Sequence, residues 1–460
     1  MKGTRRLTSC AVLVAALASL LSSRSSVSFG LTAIDDDATR LLQEYVRIDT
    51  SNPPGNTTKA ANFLAALFTR EGIAVTRYES APGKAILYAR LKATVTPPAG
   101  KAVVLLQHMD VVPADRAQWK LDPFAGALQG SAIWGRGALD MKGAALAQAL
   151  AFIRLRREAV PLARDVILLA DPDEEVGGAN GARWMIQHHY TEIDPEYVLD
   201  EGGFASDDLF AAGKRVYTIA VAEKKLIWLT VRADGTSGHG SQPSEANPND
   251  RLTRGLARLL SGEASADGAG ANLPASTRGL LETMKARVGT FAANKFTNAM
   301  QRSTVAITWM RSGVGEPPKQ NVIPSVAEAG LDCRVLPGVT RDQWLGEIRR
   351  RLGDNELTVR VVTEGDDAIV SRTDTAMYRA LERAIVRRHP GAIVTPSLIP
   401  FTTDANSFRP RGVTGYGVFP FPLSADLISQ MHGDAERVPA GAVEEAAGVL
   451  FEALKDAVRP

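Results

Sequence analysis

The sequence predicts an α/β protein, a mixed sheet covered by helices, interrupted by a smaller α+β module. Three observations carry this. Apolar runs of strand length alternate with helical stretches through residues 31–224. Between 225 and 364 the pattern changes to strands with one apolar face, interleaved with amphipathic helices. From 365 to 460 buried strand and helix patterns return. At 460 residues the chain exceeds one ordinary core, which fits an interrupted catalytic unit.

The first thirty residues stand apart. Lys2, Arg5 and Arg6 precede an apolar run from Ala11 to Leu21, the layout of a signal peptide over residues 1–30. That run is shorter than the roughly 20 residues needed to span a bilayer, so export without a stable membrane anchor is expected. Cys10 precedes the run, which argues against a lipoprotein signal, and Arg5-Arg6 hints at twin-arginine export. Without the leader only Cys333 remains, so no internal disulfide is expected.

The mature part should open with a helix capped by Asp35 to Asp37, with Leu41, Leu42, Tyr45 and Val46 as its stripe. Ser51-Asn52-Pro53-Pro54-Gly55 reads as a loop, and a second helix carries Phe63, Leu64, Leu67 and Phe68. Val103 to Leu106, Val166 to Ala170 and Tyr197 to Leu199 read as buried strands, and Met141 to Arg156 as a helix. Beyond Glu223, Leu226 to Ala233 reads as a strand, 251–261 as an amphipathic helix and 262–275 as a loop. Val326 to Val335 alternates, with Ala327, Ala329, Leu331, Cys333 and Val335 on one face. A helix through Trp344 to Leu352 and a strand through Leu357 to Val362 follow. Met377 to Arg388 and Gly415 to Phe421 return to helix and buried strand.

A formal net charge of +2 with no long basic tract excludes a nucleic-acid partner. The chemistry lies instead at strand ends. His108 follows one predicted strand, Glu174-Glu175 a second and Asp200-Glu201 a third. In open α/β sheets the site lies beyond the carboxyl ends of the strands. Asp140 arrives from the glycine-rich stretch Trp134 to Gly143, and His432 follows the last buried strand. Imidazole with carboxylate suits zinc, and less specifically cobalt or manganese. Two histidines and three carboxylates exceed one tetrahedral ion, whereas two ions about 3.5–4 Å apart, bridged by a carboxylate, use them all. A further carboxylate is then needed to move the proton.

These motifs resemble the co-catalytic zinc hydrolases of the aminoacylase, carboxypeptidase G and S, carnosinase and succinyl-diaminopimelate desuccinylase family, peptidase family M-twenty. The resemblance rests on His108-Met109-Asp110, Gly137 to Gly143, Asp173 to Gly178, Leu199 to Gly203, Gly238-His239-Gly240-Ser241 and His432-Gly433, in the family's order. It is greatest for the carboxypeptidase S and N-acyl-amino-acid hydrolase branch. It implies two zinc ions held by His108, Asp140, Glu175 and His432, with Asp140 bridging. A fifth ligand is implied at Asp200 or Glu201, and Asp200, which follows the strand directly, is favoured. Glu174 becomes the general base, and Asp110 the carboxylate that orients His108.

The inserted module resembles the family's ferredoxin-like lid, which also mediates dimerisation, so a homodimer is expected. His239 would stabilise the oxyanion, in some members from the partner subunit, and Arg334, Asn321, Thr403 and Asp404 would bind substrate. The implied function is hydrolysis of an amide or peptide bond next to a free carboxylate, in a small peptide or N-acyl amino acid. A dipeptidase or deacetylase on the same site, and remotely a non-catalytic binding protein, are the alternatives. His188, His189 and His389 read as helix-end residues outside the site.

Overall fold

The structure, a computed structural model, describes residues 32–261 and 273–460. The expected leader and most of the expected 262–275 loop lie outside those residues. The first helix, Thr32–Val46, starts before Asp35, so the acidic triplet falls inside it and does not precede it. Among the described residues no helix is long and apolar enough to cross a membrane.

An eight-stranded mixed sheet organises the first unit. Its order is Val75–Glu79, Ala85–Leu91, Val166–Asp171, Ala102–His108, Pro195–Ser206, Thr414–Pro422, Val216–Glu223 and Ile393–Ile399. The strands Val166–Asp171, Ala102–His108, Pro195–Ser206 and Thr414–Pro422 run parallel to one another. Each is covered on both faces, which explains its unbroken apolar run. Val103, Leu105 and Leu168 face one core with the helices Ala144–Arg157 and Ala442–Val458. Val104, Leu106 and Ile167 face the other, against Met185 and Ile186 of the helix Ala182–His188. Burying each such side chain contributes about 1.5–3 kcal/mol.

Two boundaries differ from the sequence reading, for reasons that matter to the site. The third strand continues to Ser206, so Asp200 and Glu201 lie within it and not beyond it. Gly203 permits this, because a Cβ there would come within 2.2 Å of the Gly417 carbonyl on the neighbouring strand. Regular helix begins at Ala144 and not at Met141, because Asp140 leaves the helical region (φ −115°, ψ 98°).

The second unit is a four-stranded antiparallel sheet in the order Thr304–Ser312, Val326–Val335, Lys225–Asp234, Leu357–Glu364. With the helices Pro248–Ser261 and Arg341–Leu352 it has the β-α-β-β-α-β plan of a ferredoxin-like fold. Ile227, Leu229, Leu331, Cys333 and Ile348 fill its core, and Cys333 is a free, buried thiol. Not all of 225–364 belongs to this unit. Leu280, Met284 and Val288 of the helix Ala275–Val288, and Met300 of the helix Lys295–Met300, pack into the core of the first. Three short strands, Ala127–Gln129, Ala132–Trp134 and Arg437–Pro439, then tie the C-terminal segment to Trp134.

Candidate metal centre

His108 is the last residue of its strand, aligned with Asp171 on the next. Its Nε2 lies 3.2 Å from Asp140 Oδ1 and 3.7 Å from Glu201 Oε1. The other oxygen of Asp140, Oδ2, lies 3.1 Å from His432 Nε2, which is 3.3 Å from Glu175 Oε2. Two clusters result, His108–Asp140–Glu201 and Asp140–Glu175–His432, each with ligand atoms within 4.8 Å of one another. Asp140 is common to both. Two imidazoles and three carboxylates so disposed are a donor set for two divalent cations.

Of the two adjacent acids of the long strand, Glu201 falls in a cluster and Asp200, which the sequence favoured, does not. Neighbouring residues on a strand point to opposite faces. Asp200 Oδ1 accepts the Glu201 N–H (2.9 Å) and Oδ2 the Ala405 N–H (2.8 Å), so its carboxylate anchors the 403–405 loop.

Asp110 serves both His108 and the glutamate pair. The imidazole Nδ1 of His108 lies 3.0 Å from the Asp110 carbonyl and 3.6 Å from its carboxylate. The carboxylate itself accepts the backbone N–H groups of Glu174 and Glu175, both at 3.3 Å. Asp110 therefore faces His108 with both its carbonyl and its carboxylate, and holds the glutamate pair through its side chain.

Charge is concentrated here. Burial works against the charge of His432, but Asp140 and Glu175 outweigh it and push the imidazole up to about 11. His108 is likewise raised well above its ordinary value, against burial, by Asp110 and Asp140. Burial, then the charges of Glu175 and Asp404, hold the Glu174 carboxyl well above the usual carboxylate range. Asp404 is pushed up to about 7 by burial and by Asp200.

Sequence reading missed the pair that ties the two ends of the chain together. Arg136, 2 % exposed, donates to Glu436 (2.7 Å) and to the carbonyls of His432 and Gly433 (both 3.1 Å). Glu436 accepts the N–H groups of Leu139 (2.9 Å) and Asp140 (3.1 Å). The only sequence signal is that each residue lies within four positions of a ligand. Glu436→Ala would leave Arg136 buried and unpaired, and is expected to lower stability by about 3–5 kcal/mol. Denaturant unfolding of the metal-free protein checks this.

The centre opens into a cavity of about 530 Å³. Asp140, Glu174, Glu175, Glu201 and His432 line one side. Arg334, Thr403 and Asp404, expected from sequence, line it too, with Asn406 of the same expected loop, and so does Arg183, which was not expected. Asp332 engages Nε (2.8 Å) and one Nη (3.1 Å) of Arg334. Thr403 is fixed by its N–H on the buried Glu223, which also pairs with Arg409. Leu226, Trp228, Phe296, Phe401, Ile428 and Met431 form an apolar wall. Phe296 comes from the helix Lys295–Met300, and rings at 6.1 and 6.3 Å link it through Phe204 to Phe401. His239 and Asn321 are not brought to this cavity. Both are exposed, His239 on the strand Gly238–His239 and Asn321 in the turn just before its partner strand Val322–Ile323, and His239 Nδ1 lies 2.7 Å from Ser241 Oγ.

The profile of peptidase family M20/M25/M40 matches residues 104–456. Human N-fatty-acyl-amino acid synthase/hydrolase PM20D1 is 28% identical over 383 residues, covering 78% of this chain and 75% of its own. Pig aminoacylase-1 is 26% identical over 401 residues, covering 86% and 89%. An M20 family metallo-carboxypeptidase from Sulfolobus solfataricus shares the fold, with a TM-score of 0.71 at 19% identity over 92% of this chain and 99% of its own.

Proposed function

This chain belongs to peptidase family M20/M25/M40 and is a metal-dependent hydrolase of amide or peptide bonds, and within that class we propose that it cleaves N-acyl amino acids at the amide beside the free carboxylate. The observation that carries this reading is the composition of the cavity. It combines the two-cluster donor set with the guanidinium of Arg334 and an apolar wall that includes Leu226, Trp228, Phe296 and Phe401. The name of the human relative, which specifies N-fatty-acyl amino acids, supports an apolar acyl group.

Two zinc ions fit the donors, held by His108, Asp140 and Glu201 and by Asp140, Glu175 and His432, and cobalt or manganese suit the same set. Bound, they would supply the positive charge that polarises the scissile carbonyl and acidifies the attacking water. Glu174, which lines the cavity beside the clusters without joining either, takes the proton of that water and returns it to the leaving nitrogen. Arg334 receives the substrate carboxylate through the Nη that Asp332 does not engage. The wall of Leu226, Phe296 and Phe401 excludes water and holds the acyl group.

Metal uptake should depend on pH. The metal-free site favours protonated His108 and His432, and cations bind the neutral imidazoles. Affinity is therefore expected to rise with pH, with protons released on loading from the imidazoles and from Glu201 and Glu175, whose carboxyls burial holds above the usual range. Calorimetric titration in buffers of different ionisation enthalpy counts them.

His239 and Asn321 act, in this reading, across a homodimer formed by the second sheet unit, since neither lines the cavity of its own chain. Export through the leader of residues 1–30 is likewise proposed.

The substrate is tested by comparing N-acetyl and long-chain N-acyl amino acids with dipeptides at fixed zinc. Long acyl substrates should give the highest kcat/KM, and Phe296→Ala should lower that value about tenfold while sparing the acetyl substrate. Faster turnover of free-amine dipeptides would assign the cavity to a dipeptidase instead.

A further inference from the structure

Asp173, directly before Glu174, adopts a left-handed backbone (φ 85°, ψ 5°) that residues other than glycine rarely occupy. Its side chain is held from three directions. Lys84 Nζ lies 2.7 Å from Oδ1, Asn52 Nδ2 lies 3.3 Å from the same atom, and Asn180 donates to Oδ2 through its main-chain N–H (3.1 Å) and Nδ2 (3.0 Å). Lys84 also donates to Asn52 Oδ1 (3.1 Å), and Asn52 Nδ2 donates to Asp110 Oδ2 (2.7 Å). Asp110 in turn accepts the N–H groups of Glu174 and Glu175, both at 3.3 Å. The network therefore grips the glutamate pair at both ends, through the preceding turn and through the pair's own amides.

Lys84 is buried and does not line the cavity, so it acts only through these partners. The loop above it leaves no slack. A Cβ at Gly55 (φ 68°) would stand 2.5 Å from both Lys84 Nζ and Asn52 Cγ.

We propose that Lys84, bridged by Asn52, is the positioning residue of the proton-transfer base: its ammonium pins Asp173 in the left-handed turn that aims Glu174 at the cavity and Glu175 at the metal cluster. The proposal rests on Glu174 being the base. A small misplacement of such a group costs far more in turnover than in binding.

The test uses full-length Lys84→Met, Lys84→Arg and the double variant Lys84→Met/Asp173→Asn, each loaded with zinc and assayed on an N-acyl amino acid beside Glu174→Gln. Lys84→Met should lose about ten- to hundredfold in kcat, with KM within about threefold and bound metal unchanged. Lys84→Arg should recover part of kcat. Asp173→Asn removes the carboxylate orphaned by the lysine change and still tolerates the left-handed turn. The double variant should therefore regain the unfolding midpoint while kcat stays low, and it carries the test if Lys84→Met does not fold. Wild-type kcat in folded, zinc-loaded Lys84→Met would overturn the proposal. So would a raised KM with kcat intact, or kcat returning together with the midpoint in the double variant. Full turnover in Glu174→Gln would remove the base assignment itself, and normal turnover in Lys84→Met beside an inactive Glu174→Gln would remove the lysine's role alone.

Discussion

Glu174→Gln is expected to lower kcat by about 100- to 10,000-fold while KM and bound metal stay near wild type. Glutamine keeps the shape of the side chain and loses the ability to take a proton. Glu174 lines the cavity but belongs to neither ligand cluster, so its replacement leaves the donors intact. Its neighbour should behave differently. Glu175 Oε2 lies 3.3 Å from His432 Nε2, within a cluster, so Glu175→Gln should weaken metal binding first and turnover as a consequence. Steady-state kinetics paired with metal analysis of both variants separates two adjacent residues by function. A shared phenotype would contradict the division between them.

Asp140→Ala is expected to have the widest effect of any single change, because each carboxylate oxygen faces a different imidazole, at 3.2 and 3.1 Å. Both clusters lose a ligand at once. Affinity should fall by more than about 100-fold, beyond the 10–100-fold typical of removing a group that merely supports a ligand. Metal that binds only the native state stabilises it by about 4.1 kcal/mol at 1,000 times Kd. Added zinc should therefore raise the thermal midpoint of the wild type and leave that of Asp140→Ala almost unmoved. Differential scanning calorimetry with and without zinc measures the contrast.

Several of the candidate ligand positions stood out in the sequence because they sit where short apolar runs end abruptly. His108 ends one such run, and Glu174 and Glu175 follow another, so edge and chemistry could be read together. The choice between Asp200 and Glu201 was not legible. Both lie inside one strand, and only its register against Ala102–His108, which pairs Leu105 with Leu199, decides which acid faces His108. Local sequence carries no register information of that kind.

Long-range partners were hidden for a related reason. Arg136 and Glu436 are 300 positions apart, and Lys84 and Asp173 are likewise far apart along the chain. An isolated lysine before a strand looks the same whether it is solvated or buried. The helices 275–300 give amphipathic patterns that do not say which unit they cover, and they cover the first. His239 and Asn321 illustrate the converse. Their motifs stand out in the sequence, yet the single chain leaves both exposed, at and beside a two-strand ribbon, and neither lines the cavity.

One hydrolytic centre that uses two cations sharing Asp140 has a stoichiometry that can be counted. Its most direct test is a zinc titration of metal-free protein, following bound metal and amide hydrolysis together. Full activity reached only at two equivalents per chain, with Asp140→Ala binding neither ion tightly, is the expected result. Full activity at one equivalent or fewer, or two tightly bound ions in Asp140→Ala, would contradict it.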